Sequence, residues 1–317
     1  MVFAACGGNE TEQHETERKA AAGSTQTVSP DVLTPSDLGK GASGFVVDGQ
    51  LIQSGFPQRP WTLDIVDKGQ SGERRLLRYA LRPGVQRRVL VSYFDEETET
   101  RRGLSQPDRQ VSPGVRLEVA TVIGDRAHGG TWQIRTRVAR AERVEAPAQT
   151  RFDDVPTADM VDTGLDIVMT ERGLADSVIV RTTSKLDAYT RVVLNLVPLF
   201  VLMPRDPIGI GAHWTARGLV NLGGFEAPMT ITYELVDRDD DRIQLKGTVN
   251  VRGPVQLPDS RIKGTATMTQ AGTFSMFIDL GSASQLGTFQ SATIIDITGD
   301  DSVTRIDQLV RVGIAPL

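Results

Sequence analysis

Cysteine, histidine, lysine and aromatic side chains are all scarce in this chain, and each shortage removes a class of explanation. The single cysteine, Cys6, forms neither an internal disulfide nor a CxxC metal site, so no cross-link of either kind holds the fold. Three histidines, His14, His128 and His213, lie too far apart in sequence for a His-rich metal motif, and no metal or cofactor is expected. Aromatics at 5% weaken the case for a base-stacking platform or an aromatic cleft that grips sugars. A net charge of −5 opposes the phosphate neutralisation that nucleic-acid binding needs, so no nucleic-acid partner is expected. No run reaches the roughly 18–20 apolar residues of a membrane-spanning helix. The nearest, Val192 to Met203, is interrupted by Asn195 and Pro198. Of 35 basic residues only 6 are lysine, and the 29 arginines suit strand faces laced with planar, cross-strand ion pairs.

What is present begins at the N-terminus. Met1-Val2-Phe3-Ala4-Ala5-Cys6 places an apolar residue and two small ones before the cysteine, and this resembles a bacterial lipobox. The resemblance implies cleavage before Cys6 and acylation of its thiol and new amino group, with residues 1–5 the remnant of a signal peptide. Residues 6–44 are polar and small, ending in Gly39-Lys40-Gly41-Ala42-Ser43-Gly44, and lack the apolar surface that would offset ordering. They read as a disordered tether that holds a folded body roughly 35 Å from its anchor. Several acyl chains acting together would make attachment effectively permanent. Gly7 stands where an inner-membrane retention signal carries aspartate, which favours the outer membrane or a periplasm-facing site.

The body, residues 45–317, has strand character. Leu77, Tyr79 and Leu81 alternate with Arg78, Ala80 and Arg82 before a Pro83-Gly84 turn, and Val89, Val91 and Tyr93 follow the same period. Val115 to Ile123 and Trp132 to Val138 flank a Gly129-Gly130 turn. Ile231, Tyr233 and Leu235 face Ile243, Leu245, Val249 and Val251 across Asp237 to Asp241, a hairpin. Further runs lie at 262–268, 273–280, 292–298 and 303–312. The spacing predicts a mainly β fold, an antiparallel sandwich or open half-barrel. One central helix is predicted over Ser184–Leu199, capped by Ser184 with Asp187 in the capping-box position. Leu186, Tyr189, Val193, Leu196 and Val197 recur there at helical spacing. Two halves, about 45–182 and 212–317, each carry a hairpin with a charged tip (Asp95 to Arg102; Asp237 to Asp241), which hints at duplication.

The connector Met203-Pro204-Arg205-Asp206-Pro207-Ile208-Gly209-Ile210-Gly211-Ala212-His213-Trp214 resembles a segment of lipobox-bearing proteins of unknown function from myxobacteria and their relatives. There a proline-rich turn leads into a strand that opens with glycine, a small residue, any residue and tryptophan. The Arg75-to-Leu81 strand is similar to that group's first core strand, and the likeness covers about 74–317. It implies a β-rich domain on a lipid anchor and no activity.

No catalytic constellation emerges. Gly41-Ala42-Ser43-Gly44 is not a nucleophile elbow, and no Walker loop, HExxH or dinucleotide fingerprint occurs. Gly209 and Gly211 lead into a strand, not the helix that anion binding requires. Asp239-Asp240-Asp241 lacks calcium-loop spacing and reads as a solvated tip. Asp153-Asp154 and Asp300-Asp301 are neighbours in loops, not acids facing across a cleft. The expectation is a non-catalytic, lipid-anchored binding or assembly module of the envelope, with a hydrophobic ligand and Tyr189, Val193, Trp214 and Tyr233 as pocket or core residues. Its partners would be the membrane, through Cys6, and a lipid or another envelope protein. The rivals are an anchored hydrolase using acidic residues and His213, and a purely structural or adhesive protein.

Overall fold

Residues that alternate apolar and polar in the sequence alternate buried and exposed in space, and they pair into one open sheet. The structure is a computed structural model that describes residues 30–34, 44–47, 50–52, 60–101, 107–111, 114–127, 130–144, 157–182, 201–221, 226–255, 264–299 and 303–317. Its strands are β1 (Asp31–Leu33), β2 (Gly44–Val47), β3 (Gln50–Ile52), β4 (Trp61–Asp67), β5 (Gln86–Arg101), β6 (Asp108–Val111), β7 (Gly114–Arg126), β8 (Trp132–Val144), β9 (Gly164–Met169), β10 (Ala175–Thr182), β11 (His213–Asn221), β12 (Glu226–Asp239), β13 (Arg242–Val255), β14 (Gly264–Asp279), β15 (Ser284–Gly299) and β16 (Val303–Pro316). The order across the sheet is β1-β4-β11-β12-β13-β14-β15-β16-β5-β7-β8-β9-β10-β2-β3, with β6 beside β5. All pairs are antiparallel except β10 with β2. The fold is therefore mainly β, as the spacing predicted. The predicted helix Ser184–Leu199, with Tyr189 and Val193, lies outside the described residues, as do Cys6, His14, His128, Asp153, Asp154, Asp300 and Asp301.

The topology has one demanding feature. β4 and β5 follow each other in the chain, yet the six strands β11–β16 stand between them in the sheet. The chain from 68 to 85 must therefore cross the core face, and its central stretch, predicted as a strand, does so without joining a ladder. Arg75 bridges Ile208, the Tyr79 amide donates to the Glu171 carbonyl at 2.8 Å, and the Ala80 and Arg82 amides donate to Leu280 and Gly281. The expected alternation survives: Leu77, Tyr79 and Leu81 are 2–3% exposed. Their hydrogen bonds go to turns at the ends of other strands because a crossing segment runs past strand ends instead of along a neighbour.

A second extended segment, 201–212, lies beside the crossing. Val201, Leu202, Met203, Ile208 and Ala212 are buried, and half-buried arginines hold the backbone in place. Arg78 donates to the Pro204 and Arg205 carbonyls at 2.8 and 3.1 Å, and Arg172 donates to Met203 at 2.9 Å. Arg172 also pairs with Asp31 at 2.5 Å, and the Arg205 amide donates to the same carboxylate at 2.8 Å. This corrects one expectation. The stretch 6–44, expected to be tether throughout, contains β1, whose Leu33 is 7% exposed and whose Asp31 is tied to Arg172.

Two further boundaries differ. The acidic run after Asp95, expected as a hairpin tip, continues as strand to Arg101 because β16 pairs with it from Val89 to Arg101. Asp95 itself is 4% exposed and accepts two hydrogen bonds from the Gln308 amide at 3.0 and 3.1 Å. The described part of the run at 262–268 and the run at 273–280 up to Asp279 belong to a single strand, β14, carried across the small residues Ala271 and Gly272 by continuous pairing with β13 and β15. The 231–251 hairpin forms as predicted, with Asp239 opposite Arg242.

Two glycine substitutions separate backbone strain from backbone collision. At Gly84 (φ +77°) a Cβ meets nothing within 4 Å, whereas at Gly173 (φ +87°) it would lie 2.0 Å from the Val201 carbonyl oxygen. Gly84→Ala should cost about 1 kcal/mol, and Gly173→Ala about 3 kcal/mol or more, in urea unfolding. Equal losses would contradict the close approach of 173 to 201. Asp31→Ala should cost about 2–3 kcal/mol, since it strands the Arg172 guanidinium, which is 15% exposed.

Candidate functional site

The two faces of a strand are separated by its two-residue period, and register decides which residues of neighbouring strands share a face. In the eight strands from β4 to β5 by way of β11–β16, one face is core. Trp214 pairs with Tyr233, Tyr233 with Gly247, Gly247 with Phe274, Phe274 with Phe289, Phe289 with Val312, and Val312 with Tyr93. Trp214 and Tyr233 are 1% and 3% exposed and stack at 5.0 Å, and Phe274 meets Tyr233 edge-on at 5.8 Å. The Trp214 indole donates to the Leu202 carbonyl at 2.8 Å. Burial pushes the Tyr233 hydroxyl well above the ordinary phenol value, and Tyr79 behaves alike. Of the four residues expected as pocket or core, these two are core side chains that underlie a site on the other face.

That other face carries a groove of about 970 Å³ crossing all eight strands. Two rows of side chains flank it. One runs His213, Glu234, Lys246, Ser275, Thr288, Gly313, Ser92. The other runs Thr215, Thr232, Thr248, Thr273, Gln290, Arg311, Phe94. Small side chains on both rows leave the space open, and a Cβ on Gly313 would meet nothing within 4 Å. Thr232 and Thr248 share a hydrogen bond at 2.7 Å across β12 and β13. Val66, 76% exposed, and Phe94, 40% exposed, are apolar side chains of the lining. Among the described residues, the side chains of Lys246, Arg311, Glu234 and His213 have no hydrogen-bond or ion-pair partner.

His213, the residue singled out for a hydrolase, is exposed in this groove and stands opposite Glu234 in register. Asp239, at the end of β12, and Asp240 and Asp241 after it form the exposed tip, where Asp241 pairs with Arg82. Among the described residues no three His, Cys, Asp or Glu side chains gather as a metal site. Gly211 (φ +79°) turns the chain into β11, so the glycine pair precedes a strand as expected. The hydroxyl rows were not singled out from the sequence. Their signal was there as threonines and serines at alternate strand positions, but only register shows that they line up across strands.

The arginine excess has a concrete use on β8–β10. Asp166 accepts from Arg137 at 3.0 Å, from Arg135 at 3.3 Å and from Arg181. No protein-family model matches the chain, and no curated protein matches it in sequence.

Burial alone would raise the Asp166 carboxyl, but the hydrogen bond from Arg181 and the charges of Arg137 and Arg181 outweigh it and hold it below the ordinary carboxylate value. A depressed folded value means that this contribution is present above about pH 4 and is lost as pH falls through the folded value. Asp166→Asn should cost about 1–3 kcal/mol at pH 7 and flatten the acid limb of stability against pH, measured by urea midpoints from pH 7 down to pH 2. An unchanged acid limb would remove Asp166 from that role.

Proposed function

We propose that this protein is a lipid-anchored component of the bacterial envelope, held through acylated Cys6, that acts as a non-catalytic binding module with the eight-strand groove as its ligand surface. The observation that carries the reading is the groove itself. A volume of about 970 Å³ falls within the range of ligand sites, and here it opens on the face opposite the core. The lining includes Lys246, Arg311 and Glu234, whose side chains have no partner among the described residues and are therefore available to a ligand. Cys6 is the chain's single thiol and sits behind two small residues, which supports the anchor, and Gly7 after it supports an outer-membrane or periplasm-facing address.

One observation favours a second reading. His213 and Glu234 are register partners in the groove, the arrangement in which a carboxylate can orient a histidine base. A hydrolase would also need a third group to be activated, and neither side chain has a hydrogen-bond partner among the described residues.

Two measurements test the proposal. Radiolabelled palmitate should enter the wild-type chain and not Cys6→Ser when both are secreted by a bacterial host, and equal label would end the anchor reading. His213→Ala should leave the melting temperature nearly unchanged. Abolition of a measured hydrolytic turnover by that substitution would replace the binding module with an enzyme.

A further inference from the structure

Resting on the reading of the groove as a binding surface, we infer that its occupant is a linear, acidic oligosaccharide laid across the strands. Shape comes first. Eight strands at a spacing of about 4.8 Å give a track roughly 34 Å long, and a compact ligand would leave most of it empty. The occupant is therefore an extended chain running perpendicular to the strands.

Chemistry narrows the chain type. The projecting side chains include the hydroxyls of Ser92, Thr215, Thr232, Thr248, Thr273, Ser275 and Thr288 and the Gln290 amide, against Val66 and Phe94 as the apolar side chains. Each hydroxyl both donates and accepts, and the rows offer such groups at the pitch of the strands. A hydrocarbon chain laid there would take water from these groups and return no hydrogen bonds, which is costly. A repeating polyol meets donors and acceptors at successive strands, and the threonine methyls and exposed Phe94 ring accept its C–H faces. An extended peptide is poorly served, because it binds sheets by backbone pairing at an edge, and this groove lies in the middle of a face.

Charge gives the sign. Among the described residues the Lys246 and Arg311 side chains have no partner; they stand on opposite rows with two strands intervening, so each can take a different unit of one chain. Glu234 offsets part of this, leaving a small positive excess that suits carboxylated sugars. It is too small for nucleic acid, whose binding neutralises many phosphates. Charge-assisted hydrogen bonds from guanidinium and ammonium to carboxylate are the strongest the groove can make.

The test uses the full chain and calorimetric titration with an α-1,4-linked hexagalacturonate, neutral cellohexaose and palmitate as probes. The hexagalacturonate should bind, weaken as salt is raised, and bind at least tenfold more tightly than cellohexaose. Gly313→Trp, which fills open space, should abolish binding, and the exposed pair Lys246→Ala with Arg311→Ala should weaken it tenfold or more without changing the melting temperature. Should the tryptophan variant fail to fold, the alanine pair carries the test alone. Hexagalacturonate binding unaffected by these changes would place the site elsewhere and overturn the inference. Binding of palmitate or cellohexaose alone, lost in Gly313→Trp, would overturn the acidic-sugar inference while leaving the groove as a binding surface. Failure of all three probes to bind would count against both.

Discussion

The segment from Arg75 to Arg82 is the constraint on which the rest of this fold depends. A meander can add strands one beside the next with local turns, but β4 and β5 are split by six strands that come later in the chain. Nothing local can bring those six into place. The crossing segment must lie on the core face, satisfy its amides there, and present Leu77, Tyr79 and Leu81 to the sheet. Its amides find partners at Glu171 in one turn and at Leu280 and Gly281 in another, two turns from different parts of the chain. A buried backbone group without a partner is costly, so each of these turns has to be in its final position before the crossing is stable. This makes the crossing a point where several parts of the sheet check one another, and non-local pairing of this kind slows folding.

The same constraint explains the arginines around it. Arg78 and Arg172 are not surface charges. They lie partly buried and give their donors to the carbonyls of 203–205, which run beside the crossing and have no strand neighbour to use them. Guanidinium suits this because it offers several donors in one plane and stays charged when half-buried. Through Asp31 the network also reaches β1, so the earliest described strand is fastened to the interior instead of trailing from it.

Much of the sheet was legible from period alone. Strands such as the 231–251 hairpin alternate cleanly, and burying one face leaves only one register that works. Legibility failed where tertiary pairing overrides composition. The acidic stretch after Asp95 looks like a tip, yet β16 lies along it. Thr269 to Gly272 looks like a break, yet strands on both sides pair straight through it. The crossing segment failed differently: its alternation was correct, but the sequence cannot say whether an extended segment has neighbours along its length or only at its ends. The groove was least legible of all. A threonine at an outward strand position means solvent in most sheets, and its meaning here comes from the strands on either side. Trp214 and Tyr233 drew notice because they are aromatic, but those rings belong to the core.

The edges of the sheet bear on where a partner can bind. An open sheet exposes two rows of unpaired backbone groups, which invite pairing with other chains. Here both ends of the order are short strands from the same early stretch of chain: β1, three residues long, at one end and β3, also three, at the other. Such short strands offer an incoming chain few ladder bonds, which is one way natural sheets blunt their edges. The long strands, of 14 and 16 residues, all lie in the middle. Their core face is filled, so their free chemistry is on the opposite face. Recognition through side chains in a groove, and not through backbone at an edge, follows from that arrangement. A site built this way takes its specificity from residues such as Lys246 and Arg311 that the fold itself does not need. It can therefore change ligand without changing the sheet.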